Sequence, residues 1–232
     1  MKKLAQLAYG VALGVALAGS ASGAVITYIL DDEFSGGTTP AGTFTATFDD
    51  TACGIDCVQL TMAPTGAAGS GEFVSDWWFN FDDAQDLFAL VFAFDATSTG
   101  PTATVISRSE NNLQADGGND FDIRFSFATS NSGGGIARFD VNETVVYNIT
   151  GIVGLTASDF DFLAFDDGSG NGGGAHSAAH VQGIGPNENL SGFITDNGGG
   201  GPGGELPEPN ALWLLGMGLV ALAVTRRRKP RL

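Results

Sequence analysis

Hydrophobic and polar positions alternate with period two through the middle of this chain. In "GTFTATF" (42–48) Phe44, Ala46 and Phe48 alternate with threonines, and in "CVQLTM" (57–62) Val58, Leu60 and Met62 share one side. "FDIRFSF" (121–127) places Phe121, Ile123, Phe125 and Phe127 together. Successive side chains of a strand point to opposite faces, so each run predicts a strand with one buried face. Aromatic and β-branched runs predict further strands at Val25–Leu30, Trp77–Phe81, Leu87–Phe94, Thr102–Ser107, Thr144–Ile149, Phe160–Phe165 and Phe193–Thr195. Between them lie turn signals such as Ser35-Gly36-Gly37, Asp116-Gly117-Gly118-Asn119 and Asn131-Ser132-Gly133-Gly134-Gly135. Short strands, Gly-rich turns and no long helical period predict an all-β domain, a β-sandwich or jelly roll, over residues 25–197.

The two ends break this pattern. At the start, Lys2 and Lys3 precede an apolar stretch from Leu4 to Ala18, and Ser22 and Ala24 are small residues placed as a signal peptidase requires. The pattern predicts a signal peptide at residues 1–24, cut between Ala24 and Val25, and therefore export. At the other end, a Gly/Pro-rich linker (198–206) leads to Pro207-Glu208-Pro209 and an uncharged run at 211–224. As a helix that run rises only ~21 Å, against a hydrocarbon core of ~30 Å. Its terminal position, the linker before it and the abrupt stop by Arg226, Arg227, Arg228 and Lys229 nevertheless predict a single short transmembrane helix. Basic side chains that reach outward and an interfacial Trp213 make a short span tolerable. Cations at both ends stay cytoplasmic by the positive-inside rule, which leaves the body outside.

Pro-Glu-Pro, a short helix written "LWLLGMGLVALAV" and then "RRRK" together resemble the PEP-CTERM sorting signal of Gram-negative bacteria, over residues 207–232. The resemblance implies that an exosortase, a membrane cysteine protease or transpeptidase, recognises and processes Pro207, Glu208 and Pro209. It implies that the helix holds the chain in the inner membrane until then, and that the basic cluster stops transfer. The two prolines fix φ and keep the tripeptide extended, and the glycine linker lets a membrane enzyme reach it. The body is also similar, more loosely, to secreted domains found ahead of this tag, through "AGTFTATFDDT", "GEFVSDWWFNFDD" and "AHSAAHVQGIG" followed by "SGFI".

Charge sharpens the partition. All 26 acids lie between Asp31 and Glu208, where the only cations are Arg108, Arg124 and Arg138. So acidic a body repels phosphate backbones, which argues against nucleic acid as a partner, and it attracts cations.

Candidate chemistry is sparse. Cys53 and Cys57 are the only cysteines, and in an oxidising exterior they predict a disulfide. His176 and His180 are the only histidines; no glutamate completes a zinc-protease motif, and they read as structural or surface residues. No nucleophile elbow or triad context is visible, so the chain reads as a non-enzyme. Asp116, Asn119, Asp120 and Asp122 in "DGGNDFD" offer hard oxygens suited to calcium, with Asp166, Asp167 and Asn171 a weaker set. The EF-hand spacing is absent from both, and no other cofactor is expected. Trp77 and Trp78 fall on opposite faces of one strand, so at most one could stack on a sugar ring. Asn142, Asn148 and Asn189 each open a glycosylation sequon. The leading expectation is an exported surface or matrix protein, structural or adhesive in extracellular polysaccharide. That role is what the resemblance implies. The alternative is a lectin-like, carbohydrate-binding sandwich, with calcium as its metal.

Overall fold

The alternating runs pair into ladders. The structure is a computed structural model that describes residues 23–66, 70–115, 119–130, 137–166 and 174–196. Its strands are β1 (Val25–Leu30), β2 (Asp32–Ser35), β3 (Thr43–Asp49), β4 (Val58–Thr65), β5 (Phe73–Phe79), β6 (Val91–Phe94) and β7 (Val105–Ala115). They continue with β8 (Asn119–Ser126), β9 (Phe139–Asp140), β10 (Val145–Thr150), β11 (Phe165–Asp166), β12 (Ser177–Ile184) and β13 (Leu190–Thr195). The described chain is all-β, in two antiparallel sheets. One runs β1-β3-β4-β10-β6 and the other β11-β8-β5-β12-β13-β2, with β7 added to β8 and β9 to β5.

The period-two pattern decides which residues meet between the sheets. From the first sheet come Tyr28, Phe44, Phe48, Leu60, Met62 and Tyr147, and from the second Trp77, Phe79, Ile123, Phe125 and Ile194, all buried in one cluster. Phe48 stacks on Phe160 at 4.4 Å and meets Phe79 edge-on at 5.2 Å. Removing one such ring costs about 3–5 kcal/mol, because the surrounding core cannot collapse fully into the gap. The other side of the second sheet carries a smaller cluster of Trp78, Ala115, Phe121, Ala164, Ala175 and Ala178. Phe121 thus leaves the company of Ile123, Phe125 and Phe127 that the alternation predicts.

Three expected strands differ. Leu87–Ala89 is a 3-10 turn, because the Asp86 carboxylate accepts the Phe88 N–H and bends the chain before β6. Phe160 closes a second 3-10 turn, Ala157–Phe160, where Asp159 accepts the Thr156 N–H at 2.7 Å. Only Phe165 and Asp166 of the expected 160–165 strand enter a ladder, with β8. β7 runs on to Ala115, well past Ser107, through a register shift between Arg108 and Leu113.

Asp122 accounts for that shift. Its carboxylate is buried inside β8, and it accepts the Asn111 N–H at 2.6 Å and the Phe81 N–H at 2.9 Å. Both are backbone donors that the ladder leaves unpaired, and a buried N–H without a partner is costly. Burial pushes the Asp122 carboxyl above the usual carboxylate range, against the lowering effect of those two bonds.

Candidate functional site

β12 and β13 form a hairpin whose turn, Gly185-Pro186-Asn187-Glu188-Asn189, folds back over the start of β5. Gly183 lies in the register shift of β12 with φ +74, and a Cβ there would collide with the Gly71 carbonyl oxygen. Only glycine allows this approach of hairpin to strand. The fold-back leaves two adjoining hollows of about 380 and 430 Å³ that share Gly71, Gly183 and Glu188.

The larger hollow is lined with hydrogen-bonding groups, among them Gln182, Asn187, Asn189, Ser191 and Arg138. The Arg138 guanidinium lies 4.1 Å from the centre of the Phe73 ring and donates to the Thr129 carbonyl oxygen at 3.0 and 3.2 Å. The ring and the carbonyl hold the cation in place at the mouth. Such a surface can bind a polyhydroxylated or amide-bearing ligand through several modest hydrogen bonds. The smaller hollow presents Glu72, Ser70 and Glu188. "GPNENLSG" signals a turn in the sequence, but nothing there places it against residues 70–73.

The residues singled out by sequence are distributed elsewhere. Trp77 lies in the main core and its indole N–H donates to Ser177 Oγ at 2.9 Å. Trp78 faces the other way but is only 3 % exposed, 5.9 Å from Phe193. Neither ring is a surface platform for a sugar. His176 is buried with Nδ1 2.7 Å from Asp196 Oδ2 and Nε2 3.5 Å from Asp161 Oδ1, and its ring stacks on Tyr28 at 5.0 Å. The Tyr28 hydroxyl donates to Asp161 at 3.0 Å, and burial first, then the Asp161 charge, push its ionisation far above the ordinary range. His180 sits on β12, its ring stacked 4.2 Å from Phe193. Cys53 and Cys57 are bridged, with Cα atoms 5.6 Å apart.

Of the calcium candidates, Asp116 lies outside the described residues, and Asn119, Asp120 and Asp122 follow one another on β8. Both Asp122 oxygens face backbone N–H groups. Among the described residues no three His, Cys, Asp or Glu side chains converge. Ala24 and Val25 are described at the foot of β1. Pro207, Glu208, Pro209, the expected helix at 211–224 and the basic cluster Arg226, Arg227, Arg228 and Lys229 lie outside the described residues, as does most of the expected signal peptide. Among the described residues no helix is long and apolar enough to cross a membrane.

Comparison with known families resolves the C-terminal segment. Residues 205–229 match the model of the PEP-CTERM protein-sorting motif. The chain carries a PEP-CTERM sorting signal. The motif marks an exported protein, held transiently at a membrane and processed by an exosortase. No curated protein matches the chain, and no solved structure does. The PEP-CTERM motif therefore specifies the handling of the two-sheet domain ahead of it and leaves the work of that domain to its own chemistry.

Proposed function

We propose that this is a non-enzymatic protein of the cell surface or extracellular matrix, released from its membrane anchor by an exosortase and structural or adhesive within exopolysaccharide. The sorting motif at 205–229 carries this reading. The body supports it through the polar hollow at Arg138, which offers amides and hydroxyls to a hydrated polymer. The placement of the histidines supports a non-catalytic role. Ser75 Oγ and His180 Nδ1 lie 2.8 Å apart, the reach a hydrolase would need. Yet Ser75 is only 2 % exposed, and its hydroxyl donates to the His180 carbonyl oxygen at 3.3 Å. Buried in that way, the hydroxyl offers no open face to a substrate.

Mass spectrometry of the native C-terminus tests the handling. The expected result is a chain that ends near Pro207–Pro209, and recovery of full-length chain ending at Leu232 would overturn it. Co-sedimentation with the producing cell's own polysaccharide tests the role. Binding that weakens on Arg138→Ala supports it, and turnover of that polysaccharide would overturn the non-enzyme assignment. A specific observation favours a second reading, a carbohydrate-binding sandwich: the same hollow, of about 430 Å³, is large enough for a sugar residue. Saturable binding of a defined oligosaccharide would favour it over a general matrix role.

A further inference from the structure

Glu72 is only 4 % exposed, yet its carboxylate has one protein partner. Its Oε1 accepts the Ala41 N–H at 3.2 Å, while Oε2 is buried with no hydrogen-bond partner among the described residues. Ser70 Oγ is also buried and unpartnered, and both residues line the smaller hollow. A half-satisfied buried carboxylate is costly, and such groups ordinarily pair with a cation or a donor. Glu188 brings a second carboxylate to the lining of this hollow. A Cβ on Gly71 would stand only 2.3 Å from the Glu188 carboxyl carbon, so the absent side chain is what admits that carboxylate. Arg138 lines the neighbouring hollow, where the Thr129 carbonyl and the Phe73 ring already occupy it.

We propose that Glu72, Glu188 and Ser70 form a calcium site in the smaller hollow, distinct from the "DGGNDFD" loop. The donors are hard oxygens, two carboxylates and a hydroxyl, with room of about 380 Å³ for waters to complete the shell. Calcium accepts six to eight oxygens in irregular geometry, whereas magnesium demands a near-ideal octahedron at shorter distance. Two carboxylates make a weak site, of the kind found in extracellular modules, with Kd about 10⁻⁴–10⁻³ M. The acidic body draws cations toward its surface. Binding there locks the β12–β13 turn onto the start of β5 and so shapes the larger hollow beside it. The site stands on its own geometry, whatever role the surface protein proves to have.

Calorimetric titration and thermal unfolding of the full chain with calcium and with magnesium test this, using Glu72→Gln, Glu188→Gln and Asp120→Asn. Wild type is expected to bind one calcium and to melt higher in its presence, with a smaller response to magnesium. Glu72→Gln keeps the Oε1 acceptor and removes the unpaired charge. It therefore does not respond to calcium. Glu188→Gln weakens binding about tenfold or more, and Asp120→Asn leaves it unchanged. The proposal is overturned if wild type binds no calcium, if both glutamine variants bind normally, or if Asp120→Asn alone abolishes binding. Should Glu72→Gln not fold, Glu188→Gln and Asp120→Asn still decide.

Discussion

The Asp196 carboxylate grips His176 with both oxygens: Oδ2 lies 2.7 Å from the imidazole Nδ1, and Oδ1 accepts the His176 backbone N–H at 2.9 Å. Oδ1 also accepts the Ser177 N–H at 2.9 Å, so the residue just after β13 is pinned to the start of β12. The far edge of the imidazole approaches Asp161, which in turn accepts from Tyr28 on β1. One buried polar chain therefore ties both sheets together at the point where the chain departs for the linker and the sorting motif.

Removing this carboxylate strands three buried donors at once. Asp196→Ala is expected to cost about 3–5 kcal/mol, the range for breaking a buried, hydrogen-bonded pair from one side. Asp196→Asn retains one acceptor oxygen and should cost less. Urea unfolding followed by tryptophan fluorescence measures both. An alanine variant within 1 kcal/mol or so of wild type would show that the grip contributes little.

Asp122 supplies a pH-dependent prediction. Its carboxyl is raised in the folded protein, chiefly by burial, above the ordinary value of 3.8. The folded state then binds the proton more tightly than the unfolded state, so stability falls as pH rises from 3.8 through the raised value. Asp140 and Glu143 shift in the same direction, also through burial, and add to the decline. Asp122→Asn removes one part of this slope. It also turns an amide N–H₂ toward the Phe81 or Asn111 N–H, at a cost of about 1–3 kcal/mol. The expected outcome is a variant less stable throughout, whose urea midpoint falls less than that of wild type as pH rises above 3.8. Parallel curves would mean that Asp122 does not titrate in that window.

The same residue shows how far the sequence could be read. Phe44, Ala46 and Phe48, or Val58, Leu60 and Met62, advertise their strands because both neighbours and the core constrain them. β7 hides its second half because "SRSENNLQ" lies at the sheet margin, exposed and paired only to β8, so no face demands apolar residues. Leu87 and Phe160 misled because an apolar residue that plugs the core from a 3-10 turn looks like one from a strand; the capping carboxylates of Asp86 and Asp159 were the discriminating signal. Glu72 and Glu188 were invisible as a pair. Each sits in an ordinary polar turn, and only the register of β5 against β12 brings them together.

The Cys53–Cys57 bridge closes a short loop beside Asp56, which holds φ +56 and accepts the Gly154 N–H at 2.7 Å. Closing so small a loop removes little chain entropy, and the loss-of-entropy model gives roughly 2 kcal/mol. Reduction should add about two daltons to the intact mass. It should lower the melting temperature modestly without unfolding the domain, since Val58 is held by the ladder with β10 and Leu60 by ladders on both sides. Loss of all structure on reduction would show that the bridge does more than tether this loop.

The residues at the foot of β1 make the last prediction. The Ala24 N–H donates to Asp50 Oδ1 at 2.6 Å and the Asp50 N–H returns to the Ala24 carbonyl at 3.2 Å. The other Asp50 oxygen accepts the Ala157 N–H at 3.1 Å, so Asp50 couples the chain start to the 3-10 turn under Phe160. Cleavage after Ala24 deletes both bonds with that residue; cleavage one bond earlier, where Ala21 and Gly23 are equally small, would keep them and place an ammonium beside the carboxylate. A domain that starts at Ala24 should therefore be more stable than one that starts at Val25 by about 1–3 kcal/mol. The charge-assisted part of that difference should fade as the ammonium deprotonates above about pH 8. Chemical denaturation of the two forms at pH values on either side of that point measures the gap. Equal stability at both would show that the Asp50 contact is satisfied as well by water.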